Sequence, residues 1–178
     1  MLTFIHKETF ASMSELASLH LQNNRLKTIE ETTFANLTNL RILFLQHNNM
    51  SFIHPGEFVE LSKLRILNLS NNTLSSIDKI DFRGLTNIQK LILNGNRLTS
   101  IRKDMFSGLS KLSNLDLRYN LIMCTCHFLN VVESLRINNL QADCFHRQRL
   151  VNTATIGCAD LTKEWQTYQL IRQILPGN

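Results

Sequence analysis

The chain has 178 residues, 43% hydrophobic, 7% aromatic and 19% charged, with six glycines and two prolines. That composition excludes disordered and collagen-like chains and describes one folded domain. Nineteen Lys and Arg against fourteen Asp and Glu give a formal +5, split as 14 basic and 10 acidic residues before Cys124 and 5 and 4 after it. An excess so diluted argues against nucleic acid as the partner, and no apolar run approaches the roughly 20 residues of a membrane helix. Thirty leucines and nineteen asparagines point instead to a repeat.

From the first residue the chain follows a 24-residue frame. Leu2, Ile5, Phe10 and Met13 occupy the positions that Leu26, Ile29, Phe34 and Leu37 occupy one period later. Residues 1–13 therefore read as the second half of a coil without its strand. No polar or cysteine cap and no secretory signal precedes them, so the expectation is a shortened chain with Met1 as an expression start, or an end that a partner covers. Full copies start near residues 16, 40, 64, 88 and 112. The first reads Leu16, Leu19, Leu21, Asn24, Leu26, Ile29, Phe34 and Leu37, and the fifth runs Leu112, Leu115, Leu117, Asn120 and Ile122 before changing at Cys124.

Each position has a separable physical reason. In L-x-x-L-x-L the last two leucines share one face of a short strand, and the residues between them point to the other face. Stacked copies pair those strands in parallel. Asn24, Asn48, Asn72, Asn96 and Asn120 fall where the chain turns inside the coil, and an amide that both donates and accepts can satisfy backbone groups there. Phe10, Phe34, Phe58, Phe82 and Phe106 should stack as an aromatic spine beneath the convex side. One copy cannot bury its own apolar face, so these residues are structural.

The pattern resembles the leucine-rich repeat family over about residues 2–123, with the 24-residue spacing of its extracellular members. The resemblance implies an α/β-type solenoid: a right-handed coil with a short parallel sheet on its concave face. The array occupies residues 1–123, a cysteine-rich cap residues 124–160, and an amphipathic segment residues 161–178.

All four cysteines lie beyond the last repeat, as Cys124-Thr125-Cys126, Cys144 and Cys158. Of three possible pairings, the one joining Cys124 to Cys126 has poor geometry. C-x-C is too tight for the common zinc knuckles, so disulfides are favoured over a metal. They place the chain outside the cytosol, secreted or as a cell-surface ectodomain. The cluster resembles the C-terminal cap of extracellular leucine-rich repeat proteins, which implies Cys124 with Cys144 and Cys126 with Cys158. It departs from caps that begin Asn-Pro-Trp, because Asn120-Leu121-Ile122-Met123 leads in here. Sequons at Asn36, Asn49, Asn68 and Asn71 fit a secretory route. Phe128, Val131, Val132, Leu135 and Leu140 approach helical spacing and predict a helix over the last coil. Leu161, Trp165, Tyr168, Ile171, Ile174 and Leu175 predict a second helix, stopped by Pro176-Gly177.

Six histidines, His6, His20, His47, His54, His127 and His146, fall at different repeat positions, so their spacing builds no triad or metal cluster. No phosphate loop, H-E-x-x-H or G-x-S-x-G occurs. The chain reads as non-catalytic, with no cofactor and no metal. Function is expected in the columns facing outward from the strands: Ser18, Ile42, Ile66, Lys90, Asn114; then His20, Phe44, Asn68, Ile92, Asp116; then Gln22, Gln46, Ser70, Asn94, Arg118; and outermost Asn23, His47, Asn71, Gly95, Tyr119. Ile42, Phe44, Ile66 and Ile92 form an apolar group, rimmed by Gln46, His47, Asn68 and Arg118, as a binding anchor would be. A glycan on Asn68 would block it.

The chain also looks like variable lymphocyte receptors and the ends of Toll-like receptor ectodomains. That likeness implies pattern or antigen recognition in innate or adaptive-like immunity, with a protein or glycan ligand, microbial surfaces included, on the concave face. The cap loop Phe145-His146-Arg147-Gln148-Arg149 would contribute His146, Arg147 and Arg149. The alternative is a cell-adhesion or extracellular-matrix module. A homodimer through the uncapped N-terminal end or the C-terminal helix is a further expectation.

Overall fold

In the computed structural model the 24-residue frame becomes a stack of coils, described for residues 1–30, 32–54, 56–77, 82, 84–146 and 149–161. In each L-x-L the first leucine centres a three-residue strand: β1 (Ser18–His20), β2 (Ile42–Phe44), β3 (Ile66–Asn68), β4 (Lys90–Ile92) and β5 (Asn114–Asp116). They pair in parallel and in chain order, each residue beside its counterpart 24 positions on. Leu43, Leu67 and Leu91 at the strand centres are wholly buried. The rings of Phe10, Phe34, Phe58 and Phe82 stack at 6.2, 6.4 and 6.4 Å along the far side of the core.

The asparagines act as rungs between coils. Asn72 Nδ2 donates to the carbonyls of Leu45 and Leu69, at 3.0 and 3.1 Å. Its Oδ1 accepts from the Met50 N–H at 3.0 Å. Asn48, Asn96 and Asn120 repeat the arrangement, each taking an N–H from 22 residues earlier. Backbone groups that a buried turn would orphan are thereby paired.

The turn before each rung needs a left-handed residue. Asn23, His47, Asn71 and Tyr119 have φ between 52° and 57°, and Gly95 has 68°. At Gly95 a Cβ would fall 2.3 Å from Asn71 Oδ1, so a side chain there would have to displace the Asn71 amide. A second constraint lies at Gly84, where a Cβ would meet the Val59 backbone at 2.4 Å.

The cap begins with helix α1 (Cys126–Ser134), whose N-cap Thr125 accepts the Phe128 N–H, and which buries Phe128, Leu129 and Val131. Leu140, expected on the same helical face, lies instead in a sixth parallel strand, β6 (Asn139–Gln141), which pairs with β5. Its partner offset is 25 residues, since Asn114 lies opposite Asn139; helix α1 has replaced the ordinary return of the coil. Beyond it, β7 (Asp143–His146) and β8 (Arg149–Asn152) form an antiparallel hairpin. Cys124 is bonded to Cys144 and Cys126 to Cys158. Residues 158–161 are helical; the rest of the helix expected over 161–178 lies outside the described residues. Among the described residues, no helix is long and apolar enough to cross a membrane.

Candidate functional site: the concave face

The six parallel strands carry two outward columns. One reads Ser18, Ile42, Ile66, Lys90, Asn114 and Asn139, and the other His20, Phe44, Asn68, Ile92, Asp116 and Gln141, each residue in register with the next. Neighbours lie one strand spacing apart, about 4.8 Å. Ile42 is therefore beside Ile66, while Asn68 stands between Phe44 and Ile92. All four apolar residues are half-buried. The Phe44 ring meets the His20 ring edge-on at 4.9 Å, and His20 Nε2 lies 2.9 Å from Ser18 Oγ. Asn68 bends along its own strand, its Oδ1 accepting the Ser70 N–H at 3.0 Å.

Toward the cap the face turns polar and charged. A concavity of about 230 Å³ is lined by Lys90, Ile92, Asn114, Asp116, Arg118 and Gln141, among others. Arg118 grips Asp116 through Nε and Nη2, at 3.0 and 2.8 Å, and its backbone N–H donates to the same carboxylate at 3.1 Å. The hydrogen bond to Asp116 raises the guanidinium pKa above its ordinary value. Arg118 remains charged at any physiological pH, and its guanidinium carbon sits 5.8 Å from the centre of the Tyr119 ring.

The third column is less open than the sequence implies. Ser70 is buried, and Gln22 and Gln46 are half-buried with their Oε1 atoms enclosed and accepting no hydrogen bond. These residues enter the turn that delivers each rung asparagine, so the chain is already curling inward. His47 stands at the rim in that left-handed turn, its Nε2 3.4 Å from Asn71 Nδ2. In the cap, the expected loop over 145–149 is mostly strand: Phe145 and His146 belong to β7 and Arg149 to β8, with His146 opposite Arg149. Arg147 lies outside the described residues. The sequons differ too, since Asn36, Asn49 and Asn71 are exposed whereas Asn68 is half-buried in the sheet.

Tyr119 stands in the outermost of the expected columns but outside the anchor and rim drawn from the sequence. It is 59% exposed and holds φ at 56°, where a bulky residue is uncommon. Gly95 one coil earlier was the signal that this column demands a left-handed conformation. Among the described residues no three His, Cys, Asp or Glu side chains gather as a metal site requires.

The leucine rich repeat family pattern matches residues 1–50, 14–74, 38–98 and 86–124. No curated protein matches the sequence. Solved structures do. The leucine-rich repeat domain of APL1B is 28% identical with a TM-score of 0.62, over 70% of this chain and 37% of its own. An internalin (inlF) from Listeria monocytogenes is 28% identical with a TM-score of 0.62, over 81% and 39%. TLR13, solved as a complex with ssRNA13, is 26% identical with a TM-score of 0.57, over 82% and 24%. The chain thus spans only about a quarter to two fifths of the length of these proteins. Proteins of this kind are typically non-catalytic recognition modules. With its parallel sheet, its asparagine rungs and a disulfide-bonded C-terminal region like that of the family's ectodomains, the chain belongs to the leucine-rich repeat family.

Proposed function

We propose that the protein is a non-catalytic extracellular recognition module that binds a protein or glycan ligand on its concave face, in pattern or antigen recognition. The array over residues 1–123 carries most of the surface, and the cap over 124–160 closes its end and adds Asn139 and Gln141 to it. The observation that carries the reading is the sheet register: Ile42 and Ile66 lie side by side with Phe44 next to them, half-buried on an open face. A sheet face exposed to water ordinarily alternates to polar residues there. Apolar side chains flanked by the charged concavity at Lys90, Asp116 and Arg118 have the anatomy of an anchor with a polar rim. Extracellular residence rests on the two disulfides.

The test is a binding panel of microbial cell-wall polymers, intact microbial cells and host membrane proteins, run with wild type, Phe44→Ala and Ile66→Asp. Loss of a central anchor removes about 2 kcal/mol, close to a 30-fold drop in affinity. Unchanged affinity in both variants removes this surface from consideration. The likeness to the internalin favours a second reading, cell adhesion, and selective capture of a host membrane protein would select it.

A further inference from the structure

The edge by which each coil enters the sheet carries a separate pattern. Four of its segments are residues 38–42, 62–66, 86–90 and 110–114; the first, residues 14–18, carries one acid, Glu15. Across the twenty residues of those four stand five cations, Arg41, Lys63, Arg65, Lys90 and Lys111, and no Asp or Glu. The stacking is direct: the Arg65 N–H donates to the Arg41 carbonyl and the Gln89 N–H to the Arg65 carbonyl, both at 2.8 Å. The two arginines therefore sit one strand spacing apart, about 4.8 Å, and repel each other. Two lysines are held by neutral partners that leave their charge intact. Lys63 Nζ donates to Asn39 Oδ1 at 2.6 Å, and Lys111 Nζ donates to Asn87 Oδ1. The asparagines are anchored in turn, Asn39 to the Ser14 carbonyl at 3.1 Å and to Glu15 Oε1 at 3.4 Å, and Asn87 to the Ser62 carbonyl at 2.7 Å. Beside the cations runs a column of exposed hydroxyl residues, Thr38, Ser62, Thr86 and Ser110.

We infer that this edge is a binding strip for a sulfated or otherwise polyanionic polysaccharide. Four coils give a track about 14 Å long, with hydroxyls along its flank to meet sugar hydroxyls. Leu40, Leu64 and Ile88 on this edge are buried and Leu112 is half-buried, so until Ile42 and Ile66 turn into the concave face the exposed side chains of the edge are polar. A protein ligand docked here would lack the apolar core that stable interfaces bury. Single-stranded nucleic acid would lack aromatic platforms for its bases. An anionic sugar chain needs only what the strip offers, and Arg matches sulfate and carboxylate with two parallel hydrogen bonds. Of the strip's cations only Lys90 also lines the concavity of the concave face; Arg41 and Arg65, which the test alters, do not.

The test uses immobilised heparin as the probe and a salt gradient. Wild type should be retained, and Arg41→Ser/Arg65→Ser should elute at clearly lower salt, its log-log salt dependence shallower by roughly one and a half. Arg25→Ser/Arg97→Ser alters exposed residues just past the strands and loses the same net charge; it should elute with wild type, as should Phe44→Ala. Equal losses in the two double variants would reduce the effect to net charge and overturn the assignment. So would tighter retention on polyglutamate or on single-stranded oligothymidine at matched charge, which would pass the strip to an acidic protein or to nucleic acid.

Discussion

Asn72→Ala is the sharpest probe of what holds the coils together. Truncation removes the acceptor that the Met50 N–H has among the described residues, and Met50 is wholly buried. The carbonyls fare better. Leu45 keeps a donor from Asn48, Leu69 one from Asn96, and Ser70 the His47 N–H. The loss is one orphaned buried donor, about 2 kcal/mol, plus two neutral hydrogen bonds at about 1 kcal/mol each, giving about 4 kcal/mol. Asn24→Ala removes bonds of similar length at the first rung. Asn24 is only half-buried and its Leu2 partner is exposed, so water replaces the lost partners and the cost is about 1 kcal/mol. Equilibrium urea unfolding with the disulfides intact measures both, and amide exchange at Met50 reports the orphaned donor directly. A difference between the two variants of less than about 1 kcal/mol would refute the argument that burial gives each rung its strength.

Gly84→Ala should destabilise by about 3 kcal/mol, because the added Cβ meets the Val59 backbone, which cannot rotate away as a side chain would; a midpoint close to wild type by thermal melting would show that the two coils can separate. Cys126→Ser/Cys158→Ser opens a link between residues 32 apart and should cost about 4 kcal/mol. Hydrogen exchange should then rise in residues 153–161 while the strand centres stay protected, and uniform exposure would contradict a cap that opens on its own. Tyr119→Gly should raise stability by about 1 kcal/mol through relief of its left-handed backbone, while weakening binding of any ligand seated over Arg118. A gain in stability with no change in affinity would leave Tyr119 outside the binding surface. Arg118→Ala should shift stability by less than about 1 kcal/mol, since its pair with Asp116 is partly solvated.

What could be read in advance followed the period. Strands β1 to β5 centre on the first leucine of L-x-L in each copy because a fixed 24-residue frame leaves one way to stack them. The buried phenylalanines and the asparagine rungs follow from the same frame. Where the period stops, pattern reasoning lost its hold. Leu140 fits a helical face as well as a strand, and only the exposed hydrogen-bonding edge of β5, which needs a partner, decides for β6. Two more features were present as letters without their geometry. The turn column mixes Asn, His, Gly and Tyr, so Gly95 was the one letter that hinted at the left-handed backbone all five share. The inward curl that encloses the Gln22 and Gln46 oxygens depends on where the turn begins within the copy. Phe44 and Ile66 were legible as breaks in the polar alternation of the outward columns, whereas the Asp116–Arg118 clamp required side-chain geometry.

Each rung refers only to its own coil and the one before it, through bonds reaching 22 and 27 residues back. A further 24-residue unit inserted between two coils would recreate every one of those bonds with its new neighbours, leaving the rest of the molecule unaware of the change. Array length is therefore a quantity that duplication or deletion of a single unit can alter without redesign. The curvature and reach of the recognition surface become adjustable in steps of one coil.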